Sequence, residues 1–139
     1  MAIISSFPAI TDDNARILIL GSMPGKASLQ AGQYYAHPRN QFWPILGELV
    51  GAGPALEYIE RTRALLSARI ALWDVLKSCY RSSSLDSDID KSSIIVNDFV
   101  AFFATHPHIS HVFFNGATAE QAFRRYVLPV IDLENLVLR

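Results

Sequence analysis

The stretch ILILGSMPGKASLQAGQYYAHPRNQFW, residues 17–43, decides the fold. Its four leading aliphatic residues, with no polar alternation, predict a short strand covered on both faces, as in a parallel sheet. The chain then turns through Gly21-Ser22-Met23-Pro24-Gly25 and presents two Tyr, a His, an Arg and an Asn before an aromatic helix start at Phe42-Trp43. Ligands of parallel sheets bind beyond the carboxyl ends of the strands, so these polar groups stand where a site is expected.

Three more apolar segments have strand character: residues 69–73, 111–114 and 135–138, beside residues 16–20 for the first. Helical periodicity lies between them. After Asn40, apolar residues recur at Phe42, Ile45, Leu46, Leu49 and Val50, and Gly51 is a natural stop. Pro44 fits only if this helix begins near Asn40, because the first-turn amides alone lack intrahelical partners. Further helices are expected over residues 55–67, over 92–105 with Ile95, Phe99, Phe102 and Phe103 inward, and over 117–126 with Ala119, Ala122 and Phe123 inward. Residues 81–90, with Ser82-Ser83-Ser84 and three Asp, read as a polar loop. The order β, α, α, β, α, β, α, β predicts an α/β domain, a three-layer α/β/α sandwich around a central four-stranded parallel sheet.

Composition narrows the functional classes. At 139 residues, 50% hydrophobic and 18% charged, the chain is read as one globular domain over residues 1–139. Twelve Lys and Arg against 13 Asp and Glu leave a net charge of -1, so any contact with phosphate must be local. Cys79, the single cysteine, has no partner for an internal disulfide, and the N-terminus carries no signal-like pattern. A cytoplasmic, monomeric protein without a membrane segment is expected. His37, His106, His108 and His111 form no metal-ligand spacing, so neither metal nor cofactor is expected.

Residues 21–43 resemble the first motif of the uracil-DNA glycosylase superfamily, in particular its hypoxanthine and mismatch-specific uracil/thymine branches. The likeness rests on Gly21-Ser22-Met23-Pro24-Gly25, Tyr35, His37-Pro38-Arg39-Asn40 and Phe42-Trp43. Leu72-Trp73-Asp74-Val75-Leu76-Lys77-Ser78-Cys79, Ser84-Leu85-Asp86 and Phe113-Phe114-Asn115-Gly116 are similar to the hypoxanthine branch. The resemblance implies that fold, a DNA partner containing a deaminated base, and hydrolysis of the N-glycosidic bond of a flipped hypoxanthine or uracil. Two departures stand out. Met23 occupies the position where relatives carry a water-activating Asn or Asp, and a thioether neither orients nor deprotonates water. The family's second motif, a Pro/Ser-rich loop after the last strand, is expected just past Arg139, so the chain reads as lacking its C-terminal motif and as weak on duplex DNA. A single Cys excludes the four-cysteine iron–sulfur cluster of some relatives.

The resemblance assigns roles to Asn40 and Tyr35, and side-chain chemistry and position suggest those of the others. Asn40 holds the attacking water or the departing base; on its own chemistry it is equally a helix N-cap. Tyr35 supplies a face for base stacking, worth roughly 1–3 kcal/mol, while Tyr34, pointing oppositely in an extended segment, packs. His37 donates to phosphate or to the leaving base, or simply shapes a turn with Pro38. Arg39 is a bidentate phosphate clamp or a surface charge. Asp74 orients water, supports a base edge or caps a helix. Asn115 reads the edge of a flipped base or ties loops together. The backbone of residues 21–25 completes the base seat. A catalytically inactive nucleobase- or nucleic-acid-binding protein on the same fold is the alternative. A small-molecule α/β enzyme ranks last, because the Walker and G-x-G-x-x-G patterns are missing.

Overall fold

The computed structural model describes residues 3–131 and 136–139. Strands β1 (Ile3–Ser5) and β2 (Ile17–Gly21) precede helices α1 (Lys26–Ala31), α2 (Phe42–Val50) and α3 (Tyr58–Ser67). Strands β3 (Ile70–Asp74), β4 (Leu76–Arg81) and β5 (Ile89–Val96) follow, then α4 (Phe99–Thr105), β6 (His111–Phe114), α5 (Ala117–Ala122) and β7 (Val137–Leu138).

The central sheet has the order β3-β2-β6-β7 and all of its pairs are parallel. Because strand side chains alternate, β2 feeds two cores. Leu18 and Leu20, with Ala71 and Val112, pack among Phe99, Phe103, Ala119 and Phe123 of the α4/α5 layer. Ile17 and Ile19, with Ile70 and Leu72, meet Phe42, Trp43, Leu46 and Leu65 of the α2/α3 layer. The three-layer sandwich with a four-stranded parallel sheet is therefore the observed architecture. In the fourth strand, Val137 and Leu138 pair with β6, and Asn135 lies outside the described residues.

Helix α2 begins as its Pro44 demands. The Asn40 side chain accepts the Phe42 amide at 2.9 Å, the first backbone bond runs from Ile45 to Gln41, and Pro44 falls where no donor is needed. Gly51 ends the helix at φ 80°, a conformation that favours glycine.

Several sequence expectations are corrected. Residues 92–105 do not form one helix: β5 occupies Ile89–Val96 and α4 starts only at Phe99. The run Ile94-Ile95-Val96 is β-branched and suits a strand, and Ile95 is exposed rather than inward. Asn97 and Asp98 make the break. The Asn97 side chain donates to the Asp74 carbonyl at 2.7 Å, and Asp98 caps α4 by accepting the Ala101 amide at 3.0 Å. The polar loop expected over 81–90 is shorter, since Arg81 closes β4 and Ile89 opens β5. β1, β4 and β5 form a second, antiparallel sheet of order β1-β4-β5, which a reading tuned to buried parallel strands overlooked. Helix α3 starts at Tyr58, not at 55, and α5 passes at Phe123 into a wider π-type turn ending at Val127. Helix α1 was not anticipated.

Candidate active site

The carboxyl ends of β2, β3 and β6 meet at one edge of the sheet, tied by their backbones. Val75 donates to the Gly21 carbonyl at 2.8 Å, Leu76 to Ser22 at 3.2 Å, and Asn115 to Leu20 at 2.8 Å. Over this edge lies a cavity of about 290 Å³. It is bordered by Gly21, Ser22, Met23, Pro24, Gly25, Tyr35, His37, Asn40, Asp74 and Asn115. Arg39 alone of the expected residues does not border it. That side chain is exposed on the same turn, with its backbone amide donating to His37 Nδ1 at 3.1 Å.

Five further bordering residues were not foreseen: Lys26, Ala27, Ser28, Tyr34 and Ser84. Ser28 Oγ accepts the Ala36 amide at 3.1 Å and fastens α1 to the aromatic turn. Ser84 Oγ accepts the Lys26 amide at 2.9 Å, and Ser22 Oγ donates to Asp86 Oδ1 at 2.8 Å. Arg81, buried beneath, donates from Nη2 to the Pro24 carbonyl and from Nε to the Ser83 carbonyl. The loop between β4 and β5 is thus stapled onto residues 22–26 and forms a wall of the cavity. Ser84 and Asp86 sit in a motif legible in the sequence; no pattern pointed to Arg81.

The aromatic turn departs from the expected extended segment. Tyr35 has φ 54°, a left-handed conformation that is costly for a bulky residue and is retained where surrounding packing over-determines it. Tyr34 is 3% exposed, with its hydroxyl donating to Pro8 at 3.0 Å and its carbonyl accepting the Trp43 indole at 2.8 Å. Its ring stands edge-on to Phe7 at 5.2 Å. Tyr35 stacks on Phe42 with centroids 4.1 Å apart and planes 23° apart, so Phe42 takes one face of the ring. The Tyr35 hydroxyl is buried without a hydrogen-bond partner. Burial first, then the nearby Asp74 carboxyl, holds that phenol well above its ordinary range; the Asn115 side chain draws it the other way without reaching full hydrogen-bond geometry.

Asp74 is 3% exposed and its Oδ2 has no partner. Burial, and after it the Asp86 carboxylate, pushes the Asp74 carboxyl up to about 7, with Arg81 pulling it down less strongly. Asn40 and Asn115 are exposed by contrast, and both also border an adjoining open groove of about 430 Å³ lined by Ile19, Phe42, Ile45, Leu46 and Phe114. Asn40 gives its oxygen to the helix start, which leaves its amide hydrogens for a ligand. His37 accepts from Arg39 at Nδ1, which fixes its remaining proton on Nε2 when neutral. Met23 is 7% exposed and belongs to the core of the α4/α5 layer. Among the described residues no group of three His, Cys, Asp or Glu is placed to hold a metal ion, and no helix is long and apolar enough to cross a membrane.

A pocket at the ends of three parallel strands, bordered by the Gly21–Gly25 loop, an aromatic and two carboxamides, defines an α/β protein with a crevice-type site. Comparison with known proteins gives the family. Residues 8–137 match the family model of the Uracil DNA glycosylase superfamily. Two curated relatives are named hypoxanthine DNA glycosylase. That of Methanosarcina barkeri is 40% identical over 111 residues, 79% of this chain and 69% of its own. That of Methanosarcina acetivorans is 40% identical over 114 residues, 81% of this chain and 71% of its own. A solution NMR structure from Methanosarcina acetivorans, described as a candidate uracil DNA glycosylase, superposes with a TM-score of 0.81 at 32% identity, covering 99% of this chain and 82% of that one. The chain belongs to the uracil-DNA glycosylase superfamily and is a DNA glycosylase of that class.

Proposed function

We propose that this protein releases hypoxanthine, and secondarily uracil, from DNA by hydrolysing the N-glycosidic bond of a flipped nucleotide. The observation that carries the reading is convergence: ten of the eleven residues singled out from the sequence border one cavity at the ends of three parallel strands. Its volume, about 290 Å³, lies just below the usual range for small-molecule sites, about 300–1,000 Å³, and suits a single base.

A base inside a duplex keeps its sugar carbon out of reach, so the target must leave the stack. In the cavity the base lies against Tyr35, whose other face is held by Phe42. Its edge meets the backbone amides of residues 21–25 and the carboxamide of Asn115. Bond breaking leaves an oxocarbenium-like sugar and an electron-rich base. The free amide hydrogens of Asn40 stabilise negative charge on that base or hold the incoming water, which is catalysis by preorganised dipoles and positioning. Met23, packed into the core, contributes shape only. His37 and Arg39, on the exposed turn beside the mouth, meet the DNA backbone.

The test is single-turnover base release from inosine-, uracil- and xanthine-containing oligonucleotides, read on a gel after cleavage at the abasic site. Release of hypoxanthine faster than uracil is expected. Binding of these oligonucleotides without release of any base would favour the non-catalytic alternative.

A further inference from the structure

The Asp74 carboxyl presents an unusual combination. It borders the cavity, 3% exposed, with Oδ2 unpartnered. Arg81, the cation that acts on it, makes no hydrogen bond or ion pair with it: Nε donates to Ser83, Nη2 to Pro24, and Nη1 is buried without a partner. Neither ion pair among the described residues includes it. The charged and titratable groups around it are Asp86 from the β4–β5 loop, Arg81 from β4, and Tyr34 and Tyr35 from the aromatic turn. Asp86 is kept in place by Ser22 at 2.8 Å. A buried, unpartnered carboxyl with a second carboxylate acting on it, and with no hydrogen bond from the guanidinium, is stabilised as the neutral acid.

We propose that Asp74 acts as the general acid that protonates the departing purine, and that Asp86 is the positioning residue that keeps it protonated. The inference rests on the glycosylase reading above and deepens it by naming purine nucleotides as the substrate class. The Asp74 O–H proton passes to N7 of the base as the bond from the sugar carbon to N9 breaks. The bonding pair stays with the ring, so hypoxanthine leaves neutral and Asp74 becomes a carboxylate. Water adds to the oxocarbenium-like carbon and gives up a proton, which restores the acid. Uracil has no equivalent basic ring nitrogen and must leave as an anion, so it gains nothing from Asp74. The neutral form is available because burial and Asp86 bring this carboxyl up to about 7.

The experiment is single-turnover release of hypoxanthine from inosine-containing DNA between pH 5.5 and pH 9, by the wild-type protein, Asp74→Asn and Asp86→Asn, with 7-deazahypoxanthine as a second substrate. General acid catalysis is typically worth about 10²–10⁴-fold. The wild-type rate is expected to fall roughly tenfold per pH unit above the break set by the acid. Asp74→Asn loses about 100-fold or more and its alkaline fall disappears. Asp86→Asn, which removes a neighbouring negative charge, moves the break to lower pH. The 7-deaza substrate, lacking the proton acceptor, is released at least about 100-fold more slowly. A flat wild-type profile, an unmoved break in Asp86→Asn, or equal release of the 7-deaza base overturns the acid role while leaving the glycosylase reading intact. Failure of the wild-type protein to release hypoxanthine at any pH overturns both.

Discussion

Gly21 and Asp74, opposite each other in the β2/β3 register, are packed so closely that a β-carbon on Gly21 would stand 2.6 Å from Asp74 Oδ1. The same β-carbon would meet the Tyr35 hydroxyl at 2.8 Å. Both atoms are side-chain ends that border the cavity, so they can give way only by leaving their places in the site. Gly21→Ala therefore displaces a side chain of the site. Overpacking of this kind costs about 1–3 kcal/mol, and a displacement near 1 Å costs on the order of 100-fold in rate. A melt lowered by several degrees with strongly reduced base release is expected; wild-type values for both would show that the site tolerates the extra carbon.

Asn40 has two jobs that can be separated. Its oxygen holds the start of α2 by accepting the Phe42 amide, while its amide hydrogens are left for the ligand. Asn40→Ala removes both and is expected to cost about 1 kcal/mol of stability along with most base release. Asn40→Asp keeps an acceptor for the helix start but loses the donors. That variant should melt like the wild type and still lose about 100-fold or more in single-turnover rate, the scale of a deleted transition-state donor. Turnover at the wild-type level in Asn40→Ala would refute the assignment.

The raised Asp74 carboxyl also fixes a stability profile. Below the ordinary carboxylate value of 3.8 both folded and unfolded chains hold this proton. Between 3.8 and about 7 the folded chain keeps it and the unfolded chain does not, so stability falls as pH rises through this window and is level above it. The loss attributable to Asp74 is on the order of 4 kcal/mol by pH 8. Asp74→Asn, which cannot ionise, is expected to melt above the wild type at pH 8 and to approach it near pH 4. Thermal melts of the two proteins across that range check the sign, and an Asn variant less stable at pH 8 contradicts it.

The four-stranded sheet was legible because its strands are apolar runs without polar alternation, the first three running into Gly21, Asp74 and Asn115 where a crevice forms. The aromatic turn was legible as a site but not as a shape. Nothing in the pair Tyr34-Tyr35 announces a left-handed Tyr35, because that conformation is imposed by Phe42 and the buried Tyr34 rather than by local preference. The second sheet escaped for another reason. Ser92-Ser93-Ile94-Ile95-Val96 and Phe99 onward share a spacing that a helix and a strand-plus-helix both satisfy, and Asn97, bonded to the distant Asp74 carbonyl, with the Asp98 cap, separates them. Arg81 was invisible for the same cause: its partners, Pro24 and Ser83, are brought to it by tertiary packing.

Arg39 offers the cleanest separation of binding from chemistry. It stands on the exposed turn between His37 and Asn40, outside the cavity, and its guanidinium makes no hydrogen bond among the described residues. With a net charge of -1, attraction to DNA rests on local cations, so Arg39 beside the mouth, with Lys26 at the cavity border, carries weight. A phosphate contact contributes a sequence-independent part of the affinity and about 0.9 to the slope of log affinity against log salt. Arg39→Gln is expected to weaken binding of lesion-containing and undamaged DNA alike and to lower that slope by about 0.9, with the single-turnover rate at saturating protein unchanged. Titration of fluorescent oligonucleotides over a range of salt concentrations measures both. A slope equal to that of the wild type would place Arg39 away from phosphate, and a fall in rate at saturation would place it in the chemistry instead.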